Sequence, residues 1–218
     1  MSASLSASHV ARSTLVLVAL FAACAPPRIH PLAGTPAPVQ QLPQGELPSG
    51  NRKVVFKWEL RDGDMTARGD GVARIASPDS VRLDFFLGGG FGGGAAILIG
   101  DSLSVPGPQM ARKLVPPRAL LWAALGRFNI PAVRDTIVRV DGGVVRADIG
   151  APVQWRVAFR GDTLTRLERV KDGRLQEWVE RSAGQRVEYR NEAARRTLSL
   201  VIQHSDAVAP FDPAIWRL

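Results

Sequence analysis

Few residues in this chain have the type and spacing that chemistry requires. In Gly100-Asp101-Ser102-Leu103 a serine stands beside an acid, but a serine nucleophile also needs a histidine base and an orienting carboxylate. The one histidine downstream is His204, and the position three residues before it is Val201, not an acid. The stretch therefore reads as a turn between two strands. Gly88–Gly94 contains the spacing Gly-x-Gly-x-x-Gly, which serves dinucleotides only where a helix comes next to hold the pyrophosphate. The next residues are Ala95-Ala96-Ile97-Leu98-Ile99, short and strand-like, so the glycines read as a flexible loop, a sharply curved sheet edge or a lip around a ligand opening. Arg68-Gly69-Asp70 reads as a turn or bulge. Three histidines (His9, His30, His204) and one cysteine leave no metal-ligand set. The sequence predicts no catalytic residues, no metal and no cofactor, and so binding in preference to catalysis.

The single cysteine, Cys24, excludes an internal disulfide framework and any cysteine-built metal site. Before it stand Arg12, no acidic residue, and the apolar run Leu15–Ala23. A basic start, a short apolar stretch and small residues before a cut describe a secretory signal peptide. The run is too short for a spanning helix, which needs about 20 residues. Leu20-Phe21-Ala22-Ala23-Cys24 also resembles the lipobox of bacterial lipoproteins, with Phe21 where leucine is usual. The resemblance implies that Cys24 becomes an N-terminus acylated with chains such as palmitate. Ala25 in place of aspartate after the cysteine is similar to the pattern that sorts lipoproteins to the outer membrane. Residues 25–50 are proline-rich, which favours extended, solvated chain. The expected organisation is a lipoprotein signal peptide over 1–23, a tether over 24–51 and one β-rich domain over 52–218.

The net charge is +8, with arginines concentrated in the C-terminal half. Arg166, Arg169, Arg174, Arg181, Arg186, Arg190, Arg195 and Arg196 alternate with Glu168, Glu177, Glu180, Glu188 and Glu192. Such interleaving describes a solvated, mixed-charge sheet face. An exported chain meets no genomic DNA, so no nucleic-acid partner is expected.

The elements that must position any site are mainly strands. Val54, Phe56, Trp58 and Leu60 alternate with polar residues; so do Val81, Leu83, Phe85 and Leu87, and Val153, Trp155, Val157 and Phe159. That period is the mark of strands buried on one face. Turn residues at Asp62-Gly63-Asp64, Asp141-Gly142-Gly143 and Lys171-Asp172-Gly173 separate such runs. Ten or eleven mostly antiparallel strands are expected. Pro116-Pro117-Arg118…Leu125-Gly126 carries helix start and stop signals. Leu121, Trp122 and Leu125 give it an apolar face, and a weaker helix could precede it near Gln109–Leu114. The predicted fold is α+β: a strongly curved antiparallel sheet, a half-open barrel, with a helix covering its concave face.

These parts together resemble the lipoprotein-localisation (LolA/LolB-like) family, which comprises a soluble periplasmic carrier and an outer-membrane receptor. The resemblance rests on the lipobox, on Arg68–Ile75 followed by Pro78–Asp84, on the helix at Pro117–Gly126 and on Arg195–Leu200. It implies an interior that holds acyl chains, here lined by Phe56, Trp58, Phe85, Leu121, Trp122, Leu125, Trp155 and Phe159, with the helix as a removable lid. The same residues would be plain core in a sealed sandwich. The expected function is a periplasm-facing outer-membrane lipoprotein, held by its lipid anchor, that accepts or carries lipoproteins or lipids and has a periplasmic carrier as partner. The alternative is a structural or assembly lipoprotein that binds a protein through its sheet. An integral outer-membrane barrel is disfavoured because Lys57, Glu59, Arg61, Arg156 and Arg160 would break its apolar outer band.

Overall fold

A computed structural model describes residues 25–88, 93–107, 109–183 and 185–217. Cys24, its lipobox and the centre of the glycine run lie outside the described residues. The strands are β1 (Thr35–Ala37), β2 (Asn51–Asp62), β3 (Met65–Ala76), β4 (Ser80–Leu87), β5 (Gly93–Ile99) and β6 (Ser102–Ser104), then β7 (Ile137–Asp141), β8 (Val144–Ile149) and β9 (Trp155–Arg160). β10 (Thr163–Lys171), β11 (Arg174–Ser182), β12 (Arg186–Asn191) and β13 (Arg196–Val208) complete them. Two helices, α1 (Gln109–Lys113) and α2 (Arg118–Leu125), interrupt the series after β6.

All thirteen strands form one antiparallel sheet in the order β1-β7-β8-β9-β10-β11-β12-β13-β2-β3-β4-β5-β6. The last strand docks on β2, with pairs running from Arg196↔Asp62 to Val208↔Asn51, and this joins two meanders into one surface. The sheet is open, with edges at β1 and β6, and it curves around a single apolar core. Phe56, Trp58 and Leu60 of β2, Val81, Leu83 and Phe85 of β4, and Val157 and Phe159 of β9 all point into that core, as their alternation requires. The outer face carries ion pairs. Arg82 bonds Asp84 at 3.0 Å, and Arg166 lies 4.2 Å over the Trp178 ring while pairing with Glu168 and Glu180. Gly142 (φ +55°) and Gly143 (φ +77°) make the tight turn between β7 and β8, where both central residues must be left-handed.

The strand count exceeds the sequence expectation for two reasons. The turn at Gly100 (φ +53°) is flanked by two separate strands, β5 and the three-residue β6. The other added strand, β1, comes from the proline-rich segment. Its Pro36 lies opposite Arg139 of β7 on the sheet edge, where a residue without an N–H can be accommodated.

That segment is extended, as its prolines dictate, and mostly exposed, but it is pinned to the sheet. Its carbonyls accept where its prolines cannot donate. Leu175 N–H donates to Pro27 O at 2.8 Å and Ile29 N–H donates to Gly173 O at 3.0 Å. Arg174, Arg156 and Arg139 donate to the carbonyls of Pro26, His30 and Gly34 at 2.8–2.9 Å. Beyond β1, Leu42 and Leu47 are buried in the core, and Gly45 O accepts from Phe128 N–H at 2.9 Å. Where a free spacer is expected up to residue 51, the structure lays a strap across the sheet, so packed chain begins well before Arg52.

The helix also differs from a one-faced plug. Leu120, Leu121, Trp122, Ala123 and Ala124 are all buried, and a helix apolar all round belongs inside a core. α2 packs on β10, β11 and β12. It ends at Gly126 (φ +101°), where the N–H groups of Gly126 and Arg127 return to Ala123 O and Trp122 O, the left-handed stop that glycine permits.

Candidate functional site

On the concave side the core is incomplete. A cavity of about 280 Å³ opens between α2 and the strands β2, β3, β4, β12 and β13, close to the lower bound of small-molecule sites at ~300–1,000 Å³. Phe56 and Phe85, packed edge to face at 5.8 Å, form part of its wall. Leu121, Ala124 and Leu125 line it from α2, at the spacing that puts three side chains on one helical stripe. Leu198, Leu200 and Ile202 of β13 line it at alternate positions. Solvent reaches it beside Pro48 and Ser205, both exposed.

A glycine makes room for this wall. A Cβ on Gly71 would sit 2.3 Å from the Phe56 ring, so any larger residue there would drive Phe56 into the cavity. At Gly69 a Cβ would meet Phe86 O at 1.9 Å and the Trp58 ring at 2.9 Å.

The eight aromatic and aliphatic residues expected to line a ligand site divide into two sets. Phe56, Phe85, Leu121 and Leu125 line the cavity. Trp58 packs edge to face on Phe85 at 6.2 Å and donates its indole N–H to Asp70 O at 2.9 Å. Trp122 is fully buried on the other side of α2, donating to Gly100 O at 3.1 Å. Phe159 is fully buried against Phe128, and Trp155 is half-buried at the far meander. The esterase-like serine and His204 are not brought together: Ser102 starts the edge strand β6 and four strands separate it from β13. Among the described residues no cluster of His, Cys, Asp and Glu could hold a metal ion.

The polar atoms at the cavity are few and mostly engaged. Tyr189 presents its ring, because its hydroxyl donates to Glu177 Oε1 at 2.8 Å. Glu177 is itself buried and also accepts from Asn191 at 2.7 Å and pairs with Arg169 at 2.6 Å. Burial first, and then the Glu177 carboxylate, push the Tyr189 phenol above its usual range, so it stays neutral. Arg52 is tied to Ser205 Oγ at 3.1–3.2 Å. Arg181 is different. The charge pattern groups it with the outer-face arginines, yet it shares the inward face of β11 with Glu177 and Val179 and lines the cavity. Desolvation lowers its pKa from the usual arginine range.

No family model and no curated protein sequence matches the chain. Among solved structures, a LolA superfamily protein from Nitrosomonas europaea aligns with a TM-score of 0.49 and 10% identity, over 80% of this chain and 93% of that one. A putative outer membrane lipoprotein-sorting protein domain from Vibrio parahaemolyticus aligns with a TM-score of 0.48 and 10% identity, over 77% and 89%. A DUF1329 family protein from Desulfovibrio piger ATCC 29098 aligns with a TM-score of 0.39 and 8% identity, over 78% and 90%. At these identities the likeness is one of fold.

Among the cavity residues that sequence reasoning missed are Arg181, Tyr189 and the β13 stripe. Leu198, Leu200 and Ile202 carried a usable period-two signal. Arg181 carried none, since an arginine in a charged run gives no hint of facing inward.

Proposed function

We propose that this protein is a lipid-anchored carrier or acceptor of acyl chains at the outer membrane, facing the periplasm and anchored through Cys24. The observation that supports the binding reading is the apolar cavity under α2. Its walls are mostly aromatic and aliphatic, and of its few polar groups Arg52 and Tyr189 are engaged by Ser205 and Glu177. The ligands would be acyl chains of lipids or of lipoproteins, delivered by a periplasmic carrier. A lipid on Cys24 would leave the domain at the β10–β11 turn, where Pro26 O is held by Arg174. Arg52 and Ser205 lie towards the other ends of their strands.

The binding test is displacement of an apolar fluorescent reporter, N-phenyl-1-naphthylamine, from the purified full chain by palmitate. Saturable reporter binding and displacement are expected, and Leu125→Arg should abolish both while leaving the circular dichroism unchanged. A chain that takes up neither probe favours the reading of an assembly lipoprotein that engages a protein through its sheet. Trp122→Arg is unsuited to this test, because its indole is buried core. For the anchor, Cys24→Ala should move the protein from the membrane to the soluble fraction; retention in the membrane would refute lipidation.

A further inference from the structure

The cavity is apolar along most of its wall, yet one guanidinium faces it without a counter-charge. Among the described residues Arg181 has no carboxylate within ion-pair distance, and its hydrogen bond goes to Ala124 O at 2.7 Å, at the C-terminal end of α2. That contact uses one of five N–H donors. The remaining ones are partly desolvated, which is costly for a charge unless an anion meets them. Gly126 keeps the helix end close: a Cβ there would stand 3.1 Å from Arg181 Nη1.

A second feature continues from the same arginine. A groove of about 770 Å³ shares Arg181, Val187 and Ile202 with the cavity and runs over the rim of the sheet. Arg146, Arg160, Arg166 and Arg186 line it, against a single acidic residue, Glu180. Arg166 is engaged by Glu168 and Glu180, and Arg146 lies 3.6 Å from Asp141. Arg160 and Arg186 have no carboxylate partner among the described residues. The basic groove thus borders the apolar cavity at Arg181.

We infer that the ligand is an anionic amphiphile: its chain fills the cavity, its carboxylate or phosphate pairs with Arg181, and any larger head lies along the groove by Arg160 and Arg186. This rests on the acyl-binding reading and adds the chemistry of the head. A planar guanidinium with free parallel N–H groups is suited to bidentate pairing with either anion. A neutral head would leave the charge unmet and gain nothing from the groove.

The test displaces N-phenyl-1-naphthylamine from the full chain with four probes below their micellar concentrations. Palmitate and 1-palmitoyl-lysophosphatidylglycerol carry anionic heads, 1-palmitoyl-lysophosphatidylcholine a zwitterionic one, and hexadecanol none. The anionic probes should act at concentrations at least about tenfold lower than hexadecanol, the ratio expected for one charge-assisted pair. A preference for palmitate marks a free carboxylate at Arg181, and one for the lysophosphatidylglycerol marks a lipid phosphate in the groove. Arg181→Met should erase the difference between the anionic probes and hexadecanol. Should that variant fail to fold, Arg160→Gln with Arg186→Gln tests the groove, and should weaken lysophosphatidylglycerol alone. Equal displacement by all four probes from the wild-type chain overturns the inference and leaves acyl binding intact. Failure of the reporter and every probe to bind overturns both.

Discussion

The two meanders that meet at β13 are built from the same alternating pattern, and they end differently. In the far meander, β7–β10, the inward residues Ala147, Val157, Phe159, Leu164 and Leu167 have essentially no exposure. Leu42, Leu47 and Phe128, carried in by the strap and by the chain after α2, cover them. In the near meander, β2–β4 with β12 and β13, Leu60, Val81 and Leu198 are buried as fully, but Phe56, Ala73, Leu83 and Leu200 border a void. Period two decides which side chains turn inward. Whether they become core or cavity depends on how closely the non-sheet segments above them pack.

The contrast is sharpest for truncations. Phe159→Ala removes a filled ring and should cost about 3–5 kcal/mol, the range for aromatic truncation in a packed core. Leu200→Ala trims a half-buried side chain that already borders empty space, so no new cavity is made and the cost should be about 1 kcal/mol. Urea denaturation of both variants measures the difference. Equal losses would mean that the near half is as well packed as the far half. The strap predicts its own effect on the far side: Leu47→Ala should cost about 2–3 kcal/mol, more than any substitution on a free tether could.

Enlargement tests the same contrast with the opposite sign. Ala147→Leu adds atoms where none fit and should destabilise by about 1–3 kcal/mol. Ala73→Leu adds them to the cavity wall, where thermal unfolding should show no loss or a gain up to about 1 kcal/mol. Reporter binding should fall for Ala73→Leu, because the added atoms occupy ligand space. Loss of stability at both positions would close the cavity reading.

The same physics decides how much of this was legible in the sequence. Phe56 and Phe85 were legible as inward residues, and Leu121 and Leu125 as one helical stripe. Trp122 comes one residue after Leu121, so it points about 100° away and lands in core rather than cavity. Phe159 was legible as buried but not as sealed, since Phe128 and the strap that cover it are remote in sequence. The strap was hidden by its prolines, which report extended chain and say nothing of whether carbonyls find donors. Leu42 and Leu47 were the available hint that it packs. Arg181 was illegible because its inward neighbours Glu177 and Val179 give no apolar alternation, and only the packing of α2 reveals what it faces.

The smallest effect concerns how α1 is held at the near half. Lys113, the last residue of α1, donates to Asp62 at 2.5 Å, and Arg196 lies 3.3 Å from the same carboxyl. Leu114, the next residue, lines the cavity. The Lys113 hydrogen bond is the main cause that holds Asp62 below its ordinary value of 3.8, burial opposes it, and Arg196 adds to the lowering. A carboxyl with a depressed folded pKa binds its proton less readily in the native state, so its contribution is present above the unfolded value. It is lost as pH falls through the folded value. Urea midpoints of the wild type and Asp62→Asn should therefore differ at neutral pH and converge below 3.8, the difference shrinking as Asp62 takes up its proton. Because the carboxyl ties α1 to β2 rather than to the far meander, the variant should also loosen reporter binding while leaving the Phe159→Ala penalty unchanged. A double variant measures this, since distant sites add and coupled ones do not. Non-additivity would show that the two halves share one packing unit, and the distinction between filled and hollow would then be one of degree.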